Sequence, residues 1–109
     1  MNKQITLFQD VFYTPILIEH AAKVVHDLID LKESGIFHVV GDDRISKYDF
    51  GLKLAREFNL NSSLIEEGKI IDRPSLANRP HDMSLSNKKV TNFLSRKMGG
   101  LDQHILKLN

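Results

Sequence analysis

The stretch Gly35 to Phe58, GIFHVVGDDRISKYDFGLKLAREF, constrains the fold of this chain more than any other. Ile36, Phe37, Val39 and Val40 form an apolar, β-branched and aromatic run of strand length, interrupted by His38. Gly35 and Gly41 bracket it, and Asp42, Asp43 and Arg44 make a polar turn. Ser46 is suited to cap a helix, because its hydroxyl accepts a hydrogen bond from a free first-turn amide. Asp49 stands three residues later in a capping-box pattern, and Ile45 and Phe50 occupy the positions of a hydrophobic staple. The reading is a buried strand, a turn and a capped helix over 46–58. That helix carries Phe50, Leu54 and Phe58 on one stripe, as a helix lying on a sheet would. Gly51 costs about 1 kcal/mol against Ala in a helix interior, which points to close packing at that position.

Ahead of this stretch, Ile5 to Phe8 reads as a short strand, and Pro15 biases Thr14 away from helix. Leu17, Ala21, Val24, Val25, Leu28 and Leu31 recur at helical spacing. Behind it, Leu64-Ile65 dips to the core, Glu66 to Gly68 reads as a turn and Lys69-Ile70-Ile71 as a strand. Arg73 to Ser84 holds two Arg-Pro pairs and no apolar period, which marks a long loop. Ser86 is the candidate cap of a helix using Val90, Phe93, Leu94 and Met98. Gly99-Gly100 breaks that helix, and a last one spans Leu101 to Leu108. This order gives an α/β fold with at least one parallel crossover: a small partial sheet with flanking helices. With two or three short strands, one of them is expected to gain neighbours from elsewhere.

A chain of 109 residues, 41% apolar and 27% charged, makes one globular domain spanning 1–109. A net charge of +1 gives no case for nucleic acid or a membrane surface. The absence of Cys excludes disulfides, thiolate metal sites and a Cys nucleophile. No apolar run approaches the roughly 20 residues that span a bilayer, and MNKQITLFQD lacks a secretory core. The expected location is cytoplasmic.

Phe12-Tyr13-Thr14-Pro15, GIFHVVG, RISKYDF, Arg79-Pro80 and Ser84-Leu85-Ser86 stand in an order and spacing that resembles the carboxy-terminal half of dTDP-4-dehydrorhamnose reductase and its relatives. These are extended short-chain dehydrogenase/reductase proteins acting on sugar nucleotides. The resemblance runs from about Ile5 to Leu108. His20 and Ser86 stand where relatives usually carry Asp. It implies the C-terminal part of an NAD(P)-binding Rossmann-type fold, and NADPH-linked reduction of a 4-keto-sugar nucleotide in dTDP-rhamnose supply. The six glycines form no GxxGxxG fingerprint. The family's Tyr and Lys four apart are also missing, since Leu17 follows Tyr13 and Leu52 follows Tyr48 at that distance. The chain thus reads as a single sugar-nucleotide-binding domain without a dinucleotide-binding part, with no catalytic residue and no cofactor of its own. That part would come from another chain or have been lost by truncation, and oligomerisation stays open. The alternative is a non-catalytic regulatory or scaffolding subunit resembling the regulatory subunit of methionine adenosyltransferase.

Four residues are candidates for substrate contact. Arg79 matches the family loop that closes over nucleotide, and a guanidinium fork suits diphosphate oxygens. Asp82 is placed to hold that guanidinium when no ligand is present. Arg73 belongs to the same basic loop, where a solvated surface is the competing reading. Tyr13 and Thr14 offer hydroxyls in a pre-helical turn, either to packing or to a ligand. Asp42, Asp43 and Arg44 read as ligand contacts or as a solvated turn. No two of the five histidines sit three or four apart with an acidic partner in register, so no metal is assigned. His38 is expected to be a hydrogen-bonded core residue.

Overall fold

The computed structural model describes residues 3–76 and 79–108. They form two compact units. The first comprises 3–13, 44–76 and 79–84, and the second 14–43 and 85–108.

The first unit is built on β1 (Ile5–Phe8) and β4 (Ile65–Gly68), which pair in parallel from Ile5 opposite Ile65 to Phe8 opposite Gly68. Between them in sequence lies α2 (Lys47–Glu57), so the pair with its helix is the expected parallel crossover. The helix starts where four sequence signals put it. Ser46 is buried and its Oγ accepts the Asp49 N–H at 3.1 Å. Ala55 is the residue that α2 buries fully, whereas Phe58, expected on the buried stripe, caps the helix C-terminus and is 37% exposed. Gly51 has the reason its cost implied: a β-carbon there would overlap Leu7 Cδ1 of β1 and lie 3.8 Å from Ile65 Cδ1 of β4. A second, antiparallel pair joins β2 (Phe12–Tyr13) to β3 (Ile45–Ser46).

One strand expectation fails here, together with the turn expected before it. The strand expected at 69–71 lies instead at 65–68, where a turn was expected, and Ile70–Asp72 is a 3-10 turn. Glu66 and Glu67 hide the strand from a composition reading, because β1 holds it through backbone bonds while both side chains face out.

The second unit packs α1 (Ile18–Asp30) and α3 (Lys88–Leu94) around Val24, Val90 and Met98, all fully buried, and its α4 (Leu101–Leu106) buries Leu101, His104 and Ile105. Of the α1 stripe, Val24 and Leu28 face this core, while Val25 and Leu31 are exposed. The run 36–40 is the larger correction: it pairs with no strand among the described residues. Its alternation survives, with Phe37 and Val39 packed on the core and Ile36 77% exposed. His38 is exposed, not a core residue. Side chains of α3 and its cap take carbonyls that a ladder would have taken. Lys89 Nζ donates to the Ile36 carbonyl at 2.8 Å, and Asn87 Nδ2 to that of Val40 at 3.0 Å. The cap of α3 is Asn87 rather than Ser86, whose Oγ accepts the Lys88 N–H at 3.4 Å.

Candidate functional site

In the first unit Tyr13 lines a groove of about 670 Å³ together with Leu7, Phe50, Leu54, Leu64 and Ile65. The β2–β3 pair sets its backbone, and its ring meets Phe50 edge-on at 5.8 Å. Lys47 Nζ lies 6.0 Å from the ring centre, so a tyrosine and a lysine do meet in space despite their sequence spacing. The electrostatics oppose acid–base use, because burial pushes the Tyr13 phenol pKa above its ordinary value. An activated phenol needs the opposite shift. Tyr13 therefore has the environment of a packing or contact residue.

The long loop of this unit is fastened at both ends. Asp10 Oδ1 accepts the Ile70 N–H at 2.9 Å, and its Oδ2 lies 3.6 Å from His81 Nδ1. The returning strand of the loop runs along β2: Phe12 N–H donates to the His81 carbonyl at 2.7 Å, and Met83 N–H to that of Phe12 at 2.8 Å. Asp82, expected to hold Arg79, is occupied by Arg44. Arg44 Nη2 donates to Asp82 Oδ2 at 3.1 Å, and Nε to both oxygens at 3.3 Å. The Arg44 guanidinium also lies 3.9 Å over the Phe12 ring. Asp82 Oδ1 further accepts the Ser84 hydroxyl at 2.6 Å and amide at 3.0 Å. The Ser84 hydroxyl, then Arg44, then the Ser84 amide hold the Asp82 carboxyl at about 2. The sequence carries no signal of the pairing of Arg44 with Asp82, 38 residues away.

Arg73 and Arg79 are both exposed on this loop, and neither side chain bonds another described residue. Arg73 uses its backbone, its N–H donating to Ile70 and its carbonyl accepting from Leu76.

Thr14 belongs to the second unit, where its Oγ1 accepts the Leu85 N–H at 3.3 Å. The turn at 42–43 is a hydrogen-bonded clasp within the second unit. Asp42 accepts from Asn87 Nδ2 at 2.8 Å and from the Gly99 N–H at 3.2 Å. Asp43 Oδ2 accepts the Leu101 N–H at 2.7 Å, anchoring the start of α4. Among the described residues, no group of three or more His, Cys, Asp or Glu side chains is placed to hold a metal ion. No helix among them is long and apolar enough to cross a membrane. At the junction of β3 and α2 there is no Gly-rich turn, and Ser46 occupies a first-turn amide there.

The parallel pair with its crossover helix and the helical unit are the carboxy-terminal part of an extended short-chain reductase fold. A dTDP-4-dehydrorhamnose reductase structure from Sulfolobus tokodaii, described as hypothetical, superposes with a TM-score of 0.78 at 31% identity over 95% of this chain. The Bacillus anthracis dTDP-4-dehydrorhamnose reductase, solved in complex with NADP, shares the fold at TM-score 0.82 and 16% identity over 96% of the chain. A probable low-salt glycan biosynthesis reductase, Agl14, from Haloferax volcanii is 31% identical over 85 residues, which is 76% of this chain. The chain belongs to the RmlD substrate binding domain family, whose model matches residues 1–104. It spans 37% of each of the two solved chains and 28% of the Haloferax protein.

Proposed function

We propose that this chain is the sugar-nucleotide-binding portion of a dTDP-4-dehydrorhamnose reductase-like enzyme and has no reductase activity alone. The match of the family model over residues 1–104 carries the reading. The absence of a GxxGxxG spacing from the sequence supports the division of labour, since that turn lets a backbone approach pyrophosphate. So does the raised phenol of Tyr13, which is the wrong direction for proton transfer at a carbonyl. The role left to the chain is shaping one wall of the cleft. Arg79 is its residue for the diphosphate, with Arg73 on the same loop and the Tyr13 and Thr14 hydroxyls as further contacts. NADPH and the reacting groups would come from a dinucleotide-binding half.

The test mixes or fuses the chain with a dinucleotide-binding half carrying GxxGxxG and a Tyr-Lys pair. NADPH oxidation is then followed with a dTDP-4-keto-sugar. The expected outcome is turnover by the assembly and none by either half. Micromolar NADPH binding by the isolated chain in a calorimeter would overturn the proposal.

A further inference from the structure

The first unit leaves its own apolar interior open. Among its described residues, Val11 and Ala55 are the apolar side chains it buries. Leu7, Phe50, Leu54, Leu64 and Ile65 stay half-buried along the groove of about 670 Å³ between α2 and the strands. A site for a small molecule has this size, a mostly apolar wall and a few placed polar groups. The described lining includes two lysines, Lys3 and Lys47, and neither Asp nor Glu. Lys47 Nζ lies 6.0 Å from the centre of the Tyr13 ring. Neither its ammonium nor the Tyr13 hydroxyl has a hydrogen-bond or ion-pair partner among the described residues. In a parallel crossover the helix runs back against its strands. Lys47, first in α2, and Lys3, ahead of β1, therefore mark opposite ends of the groove.

We infer that this groove binds a medium-chain aliphatic carboxylate, with its head at Lys47 and the Tyr13 hydroxyl and its tail along the apolar floor. The head follows from charge. One ammonium and one phenol offer a cation and a further donor, which suits the two oxygens of a single carboxylate. Burial raises the Tyr13 phenol pKa, so the hydroxyl keeps the proton that a donor needs. A cationic ligand would meet two like charges in the lining and no acid. The tail follows from the floor. Leu7, Phe50, Leu54, Leu64 and Ile65 carry no hydrogen-bonding group, so sugar hydroxyls laid there would lose water and gain no partner. Each CH2 laid on the same side chains leaves water at a gain. The inference goes beyond the sugar-nucleotide reading and does not rest on it, because Arg79 and Arg73 are not among the residues lining this groove.

The test is methyl NMR and calorimetry on the intact chain with octanoate, decanoate, decanol and decylammonium, each below its micelle concentration. The methyl signals of Leu7, Leu54, Leu64 and Ile65 should move together as decanoate is added. Affinity should rise about three- to fourfold for each CH2 gained between octanoate and decanoate. Decanoate should bind about tenfold more tightly than decanol, and decylammonium more weakly than either. Lys47→Gln should bring decanoate to within about twofold of decanol, and Lys3→Gln should leave the preference in place. If Lys47→Gln does not fold, the order of the three head groups on the unaltered chain decides. Equal binding of decylammonium and decanoate, methyl shifts confined to residues outside the groove, or a preference lost with Lys3→Gln instead would each overturn the inference. So would the same methyls moving with protein concentration alone while the sedimenting mass doubles, since the groove would then be a contact between copies.

Discussion

Gly41 and Gly51 make a matched pair for testing how this chain uses close approach. At both, a β-carbon would fall inside van der Waals distance of one heavy atom, but the atoms differ in kind. At Gly41 the obstacle is the Pro15 carbonyl oxygen, with the Pro15 carbonyl carbon at 3.2 Å and the Gly99 oxygen at 3.6 Å. All three are backbone and cannot rotate aside. The Gly41 N–H also donates to Thr14 O at 3.4 Å, so a backbone shift strains that bond. Overpacking costs about 1–3 kcal/mol, and rigid neighbours put Gly41→Ala at the upper end. Restricting the unfolded chain returns about 0.4–1 kcal/mol, leaving a net loss of about 2 kcal/mol. For a chain of this size that is a fall in Tm of about 10 °C. At Gly51 the obstacle is Leu7 Cδ1, the far end of a side chain that can rotate. Gly51→Ala also gains about 1 kcal/mol of helix propensity, so its net effect should stay within about 1 kcal/mol of zero. Far-UV circular dichroism through urea and thermal unfolding reads both. Equal destabilisation by the two substitutions, or a neutral Gly41→Ala, would refute the distinction between backbone and side-chain obstacles.

Ser46→Ala should cost about 1 kcal/mol in the same unfolding assay, by freeing the Asp49 amide. Phe50→Ala should cost about 2 kcal/mol, less than a fully enclosed ring, because Phe50 is only half-buried. The Asp82 carboxyl, held at about 2 and so below its unfolded value, contributes stability that is present above that unfolded value and lost as pH falls toward 2. A carbon-detected NMR titration should show it still ionised below the ordinary carboxyl range, and Arg44→Ala should raise its midpoint. Arg79→Ala in the assembled enzyme should weaken dTDP-sugar binding by about 10- to 100-fold, and Arg79→Lys should weaken it too, since the fork is lost. Unchanged affinity with an intact fold would reduce the loop to surface.

Signals confined to a few neighbouring residues were legible in the chain. Ser46 capping Asp49 and the helix stripe through Val24 and Leu28 needed nothing from afar. Gly51 could be read as a packing glycine because its cost in a helix demanded a reason. What stayed hidden depends on partners distant in sequence. The run 36–40 has every strand residue, yet Asn87 and Lys89 satisfy two of its carbonyls and no ladder forms. Glu66 and Glu67 lack strand character but gain it from β1. In the candidate site, Asp82 stands three residues from Arg79 and bonds Arg44 instead, because the loop lies along β2 and faces the turn that carries Arg44. The Asp42 and Asp43 clasp was invisible for the same reason: its partners are the distant Asn87 side chain and the backbone amides of Gly99 and Leu101, and no side-chain pattern records the amides.

Asp10 touches the Arg79 loop at both its departure and its return, at Ile70 and His81. One carboxylate therefore acts as the knot of a noose. The chain between those points can change length at little thermodynamic expense, since doubling a loop adds only about 0.6 kcal/mol. That segment is accordingly open to exchange with β1, β4 and α2 left as they are. The two ends differ in what else holds them: a substitution at Asp10 would free the Ile70 end, while the return stays fastened by the backbone bonds of His81 and Met83 to Phe12 and by Arg44 on Asp82.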